Sequence, residues 1–305
     1  MAEQTQQQRS SYCKIFISLS YILGIVLAIF LSLVVIVGPV ASRTSLFATN
    51  NAYVTILPVA KATPSFSGFA SDATGMLSTR LQDYLYNLDS AIGVTVYIPA
   101  TDQYYLHNAS QKFPMASSMK IPIMLTLLSQ VEKQNRPLTD GEAQQLKAMI
   151  ESSDNGAAES LYQEVGRASG VMNFLNSHGL SGIVPDSDTW GTSTASSQAM
   201  VDLLSALSAG DLLSATGTAY ALSLMQNIAL DQRFGVGDTA PHGSIVSMKN
   251  GWLLLDQGWA VNSSGIVQAP RITYILSVYT MGGASQEGSM RIIGTICRQI
   301  ATALV

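Results

Sequence analysis

The sequence predicts a mixed α/β fold of the α+β kind: a five-stranded antiparallel sheet built from both ends of a domain, an all-helical lobe inserted between them, and one transmembrane helix in front. Three observations predict it. Strand-like runs occur as a pair near residue 95 and as three more after residue 244, with helical periodicity filling the interval. A terminal amphipathic stretch, SMRIIGTICRQIATALV, closes the chain as a helix. Ahead of all this, Phe16 to Val37 carries no charge and is long enough to cross a hydrocarbon core of about 30 Å.

Composition agrees with a membrane-attached chain. Charged residues make up 12% of the sequence, against about 25% in ordinary soluble domains, and mean hydropathy is +0.25. Residues 1–15 read as a cytoplasmic tail, 16–40 as a transmembrane signal anchor, 41–74 as a Ser/Thr/Ala/Gly-rich linker, and 75–305 as the globular domain. Arg9 and Lys14 before the span favour an inside N-terminus, although Arg43 follows it. The rival is a cleaved signal peptide, because GPVAS has the small residues of a cleavage site, but the apolar run exceeds a usual signal core. Lipid attachment is disfavoured because Cys13 precedes the apolar run. The globular domain is therefore expected outside the cell membrane.

Within the domain, MLSTRLQDYLYNL reads as an amphipathic helix, and IGVTVYIP and DQYYLHN as two strands turning at Ala100–Asp102. Ile121, Met124, Leu125 and Leu128 mark one buried face of the next helix, with Ser117 and Lys120 in its first turn. Residues three apart on a helix are neighbours, so the Ser117 hydroxyl and the Lys120 amine are expected to meet. Further helices follow at LTDGEAQQLKAMI with a Thr139 cap, after SDN, at VMNFLNSHGL, at MVDLLSALSAG and around AYALSLMQNI. SIVSMKN, WAVNSSGIV and RITYILSVYT supply the late strands.

The same reading excludes several functions. His107, His178 and His242 are widely separated and match no ligand spacing, so no metal or other cofactor is expected. A net charge of -4 without Lys/Arg runs argues against nucleic acid as a partner. Cys297 reads as a small core residue. No GxSxG elbow accompanies a Ser-His-Asp arrangement.

Three short motifs remain. S-x-x-K occurs at Ser117–Lys120 in FPMASSMK, although Ser11–Lys14 matches by chance. Ser153, Asp154 and Asn155 form an SDN tripeptide, and Lys249, Asn250 and Gly251 form KNG. Singly, SDN reads as a helix cap and KNG as a hairpin turn. In this order, on these elements, the trio resembles the class A β-lactamases and related penicillin-recognising serine hydrolases, whose signatures are S-x-x-K, S-D-N and K-T-G. The resemblance runs from about Gly75 to Val305, with Asn250 standing where the family has threonine.

The resemblance implies that Ser117 is the nucleophile and Lys120 the general base, its pKa lowered by burial or by Lys249. It gives Ser153 the transfer of a proton to the leaving nitrogen, and Asn155 the orientation of Lys120 and substrate. Lys249 and Asn250 would hold the substrate carboxylate, and the backbone N–H groups of Ser117 and of Trp252, after Gly251, would form the oxyanion hole. Asp154 would tie the lobes together. The substrate would be a β-lactam or another small amide, ester or peptide.

One part of the family pattern is missing. No glutamate lies between Glu164 and Glu287, so the loop carboxylate that activates water in class A enzymes has no counterpart. Asp186 and Asp188 are the substitutes at hand, but PDSD reads more simply as a turn. Acylation is therefore expected with slow release, and a D,D-peptidase of the penicillin-binding type or a non-catalytic binding module are the alternatives. Trp190 in the same short loop is balanced between lining the site and packing the core. Arg233 is a candidate carboxylate ligand, Trp252 and Trp259 could wall the cleft, and Asn108 and Asn262 begin glycosylation patterns.

Overall fold

The computed structural model describes residues 79–304. The tail, the span, the linker and the first residues of the domain lie outside the described residues. Among the described residues, no helix is long and apolar enough to cross a membrane.

The expected layout is present. Helix α1 (Thr79–Tyr86) precedes β1 (Ala91–Ile98) and β2 (Gln103–His107), and β6 (Ile245–Leu255), β7 (Gly258–Gln268), β8 (Thr273–Gly283) and α8 (Gln286–Leu304) end the chain. The five strands form one sheet in the order β2-β1-β8-β7-β6, and every neighbouring pair is antiparallel. Strand β1 lies against β8 because both present nearly unbroken buried runs, which can be satisfied only in the middle of a covered sheet.

The intervening lobe contains α2 (Lys120–Lys133), α3 (Asp140–Glu151), α4 (Asn155–Glu164), α5 (Arg167–Ser177), α6 (Ser197–Ala209) and α7 (Ala215–Gln226). Short strands β3 (Phe113–Pro114), β4 (Ile183–Val184) and β5 (Thr194–Ala195) make a small second sheet beside it. Two cores result. One fills the lobe and one face of the main sheet around Met124, Leu146, Leu161, Leu203 and Tyr279. The other packs α1 and α8 on the opposite face through Leu81, Val94, Val278, Ile293 and Ile300. Cys297 belongs to this second core and is a free, buried thiol.

Helix α3 starts at the predicted Thr139 cap, which Glu142 completes as a capping box. Thr139 Oγ1 accepts from Glu142 N, the Glu142 carboxylate accepts from Thr139 N, and Arg136 adds two further bonds to that carboxylate. Thr139→Ala should lower stability by about 1 kcal/mol. Thermal denaturation would show this, and labelling of Ser117 should be unchanged because the cap lies in the lobe rather than among the site's contacts.

Three local readings are corrected. Asn250 and Gly251 lie inside β6, paired with Ser263 and Asn262, so KNG is not a hairpin turn; the turn is at Asp256–Gln257. Asp154 does not bridge the lobes, because its side chain caps α4 by accepting from Ala157 N at 2.7 Å. Asn262 is fully buried and cannot present an amide to a glycosylating enzyme, whereas Asn108 is exposed.

Candidate active site

Ser117 lies in a 3-10 turn, Ala116–Met119, that runs directly into α2 at Lys120. The preceding residue, Ala116, has φ 45, and Ser153 has φ 57; both occupy the left-handed region that non-glycine residues rarely enter. Such strain persists only where surroundings over-determine it, and Lys120, at the end of the first segment, bonds Ser153 in the second.

Lys120 does not meet Ser117 in the way its first-turn spacing suggested. Its Nζ donates to Ser153 O at 2.6 Å, Ser153 Oγ at 3.1 Å and Asn155 Oδ1 at 2.8 Å, which uses three donors. Lys249 Nζ donates to the same Ser153 Oγ at 3.0 Å and to Asn250 O at 3.2 Å. Two lysines thus share one hydroxyl. Both side chains are 0% exposed, a condition that lysine seldom reaches.

Burial is the main cause of their altered acidity. Desolvation lowers the Lys120 pKa to about 8, with Asp154 pulling weakly the other way. Lys249 falls to about 7, through burial first and the neighbouring Lys120 second. The pair therefore holds one proton more readily than two. The unfolded chain keeps both lysines charged to about pH 10.5, so it binds more protons than the folded chain between pH 7 and 10. Stability should accordingly rise with pH across that interval. Lys249→Met should flatten the rise, as read from melting temperature at pH 7 and 9.5.

Gly251 is explained by proximity. A Cβ there would lie 2.6 Å from Met115 O, 2.8 Å from Ser117 N and 3.0 Å from Ser118 N, so only glycine lets edge strand β6 lie against the Ser117 turn. Lys249 and Gly251 share the lobe-facing side of β6. Its alternate residues point the other way.

That alternation corrects two roles. The Asn250 side chain is wholly buried, and its Nδ2 donates to Gln232 O and Phe234 O at 2.7 and 2.9 Å, so it anchors the Leu230–Asp238 loop rather than offering an amide to a substrate carboxylate. The Trp252 ring packs in the second core, 6.0 Å from Phe234, and Trp259 joins that core too, so neither indole walls the cleft. Arg233 is half-buried, with Nη1 directed to Gln226 O at 3.3 Å.

The short loop gives a different result from a carboxylate. Asp186 Oδ1 accepts from the N–H groups of Asp188 and Thr189, a local turn that also holds its pKa below the ordinary value. Asp188 is exposed. What the loop places over Lys120 is Trp190, whose ring centroid is 4.9 Å from Lys120 Nζ. Sequence reasoning left Trp190 undecided because no local pattern shows what a loop aromatic faces. Among the described residues, no group of three His, Cys, Asp or Glu could hold a metal ion.

This fold, with a lysine pair meeting at a serine beside a Ser117 turn, is that of a β-lactamase-related serine hydrolase. A family model described as the β-lactamase enzyme family matches residues 76–141 and 143–304, and the chain belongs to that family. Among solved structures, the TLA-1 extended-spectrum β-lactamase superposes with a TM-score of 0.70 at 23% identity, covering 76% of this chain and 99% of the other. A β-lactamase from Chitinophaga pinensis DSM 2588 gives 0.67 at 20% identity, covering 74% and 98%. A class A β-lactamase from Bacteroides cellulosilyticus DSM 14838 gives 0.67 at 18% identity, covering 76% and 98%. The provisionally named lipoprotein LppW of Mycobacterium tuberculosis (strain ATCC 25618 / H37Rv) is 27% identical over 219 residues, 68% of this chain and 69% of that protein.

Proposed function

We propose that this protein is a membrane-attached, extracytoplasmic serine hydrolase that forms an acyl-enzyme on Ser117 with a β-lactam or a related amide, ester or peptide, and releases it slowly. The observation that carries the reading is the buried Lys120–Ser153–Lys249 chain, set beside the Ser117 turn where Gly251 permits close approach. A lysine with its pKa near 8 holds an appreciable neutral fraction in mildly alkaline solution; Lys120 bonds Ser153 and Asn155 rather than Ser117 in the free protein, and would take the Ser117 proton once bound substrate draws the hydroxyl to it for attack on a carbonyl carbon. The C–N bond then breaks, and Ser153, bonded to both lysines, is placed to hand a proton to the leaving nitrogen. The Ser117 and Trp252 N–H groups would stabilise the oxyanion, and Lys249 with Asn155 would orient the substrate.

Slow release rests on the loop. Asp186 is committed to its own turn, and the group set over Lys120 is an indole, which cannot activate water. Membrane attachment rests on the apolar run at Phe16–Val37; the LppW name, a lipoprotein name, is compatible with it.

Intact-mass spectrometry of the full-length chain with a penicillin, beside Ser117→Ala, tests this reading. We expect an adduct that forms on Ser117 and persists for hours. An adduct that vanishes as hydrolysed drug accumulates would replace slow release by turnover. No adduct with either a penicillin or a general serine-directed probe would overturn the enzyme reading.

Trp190 supplies a separate expectation. An indole face stabilises an ammonium by about 0.5–1 kcal/mol or more, so it raises the Lys120 pKa relative to an equally dry aliphatic neighbour. Trp190→Leu should therefore lower that pKa and move the alkaline rise in acylation rate down by about half a pH unit. A pH–rate profile that stays in place would mean that the indole does not act on Lys120.

A further inference from the structure

Asn262 occupies the lobe-facing side of β7, directly opposite Gly251. It is fully buried, and its Nδ2 donates to Met115 O at 2.9 Å, with Pro114 O at 3.4 Å. The Met115 carbonyl also accepts from Ser118 N at 3.0 Å and Ser118 Oγ at 2.7 Å. Three donors converge on one oxygen, two residues before Ser117. The peptide so fixed leads into Ala116, whose φ of 45 requires a reason to persist.

The amide is not explained by packing. Its Oδ1 is buried without a hydrogen-bond partner, which costs stability, and an apolar side chain could occupy a central strand position without that cost. A half-satisfied buried amide is therefore retained against the backbone that presents Ser117.

We propose that Asn262 is a positioning residue of the Ser117 site. By clamping the Met115 carbonyl it sets the Met115–Ala116 peptide plane, so that the Ser117 hydroxyl and N–H face the cleft together. The geometry stands by itself; its consequence for rate rests on the acyl-enzyme reading. Gly251 leaves room for this clamp, and Asn262 holds it.

The test compares full-length wild type, Asn262→Ala and Thr280→Val. Thr280 makes a buried bond to Val261 O in the same sheet and serves as a control for simple destabilisation. Hydrogen exchange should show the Ser117 and Ser118 amides of Asn262→Ala opening about five- to tenfold faster, the factor expected for loss of one neutral hydrogen bond, with β6 and β7 amides unchanged. With a penicillin, the acylation rate constant should fall about tenfold while the dissociation constant of the preceding non-covalent complex stays within about twofold. Thr280→Val should lower melting temperature without either effect. Unchanged exchange at Ser117 and Ser118, an unchanged acylation constant, or equal losses in both variants would overturn the proposal. If the wild type takes up no serine-directed probe, the acyl-enzyme reading fails separately, and exchange alone then decides whether Asn262 holds the turn.

Discussion

Replacing Lys120 with methionine should cut acylation of Ser117 by about 100- to 10,000-fold, the range that a positioned general base supplies. Methionine is an apt probe because it keeps an unbranched, buried side chain of similar length. It also removes an ammonium held at 0% exposure, so the variant should melt no lower than wild type. The offsetting loss is confined to Ser153 O, which gives up its 2.6 Å bond; Ser153 Oγ keeps its bond from Lys249, and Asn155 is exposed to water. Loss of acylation together with retained stability would assign the effect to proton transfer. Retained acylation would remove Lys120 as the base and turn attention to Lys249, the other depressed amine on the same hydroxyl. Stopped-flow or mass-resolved acylation, with melting curves on the same samples, reads both quantities.

Gly251→Ala should be nearly as damaging, for a steric reason. The added carbon would sit 2.6–3.0 Å from Met115 O, Ser117 N and Ser118 N, all backbone atoms that cannot rotate away. Either β6 moves out from the cleft or the Ser117 turn moves in. We expect a stability loss of about 1–3 kcal/mol from overpacking and an acylation loss of about 100- to 1,000-fold from misplaced oxyanion donors. Denaturant titration measures the first and acylation kinetics the second. If acylation survives within about twofold, the Ser117 and Trp252 N–H groups do not form the oxyanion hole, whatever happens to stability.

Much of this site was legible because its signals are local. Ser117 and Lys120 lie three residues apart at the head of a helix with an apolar face, and elsewhere in the lobe Thr139 announces a helix start as its N-cap. The pairing of the two chain ends into one sheet followed from the order of elements. The direction of Asn250 was not legible. A motif fixes residue order, but a strand sends successive side chains to opposite faces, and only the lobe's position reveals which face is the cleft. Hence Lys249 and Gly251 reach the site while Asn250 and the Trp252 ring turn to the other core.

One residue misread and one left undecided have the same cause. Asn262 read as a surface glycosylation pattern because Asn-Ser-Ser carries no mark of burial, yet β7 pairs it with Gly251 and aims it at Met115. Trp190 sits in a loop without periodicity and reaches Lys120 across 70 residues of chain. By itself the sequence determined the elements, their order, the candidate set Ser117, Lys120, Ser153 and Lys249, and the absence of a glutamate between Glu164 and Glu287. The tertiary structure alone decided what those groups touch: two lysines on one hydroxyl, an indole over Lys120, and an amide behind the Ser117 turn. The physical reason is that propensity, capping and spacing act within a few residues, whereas burial, pKa and backbone clamping arise only when distant segments exclude water together.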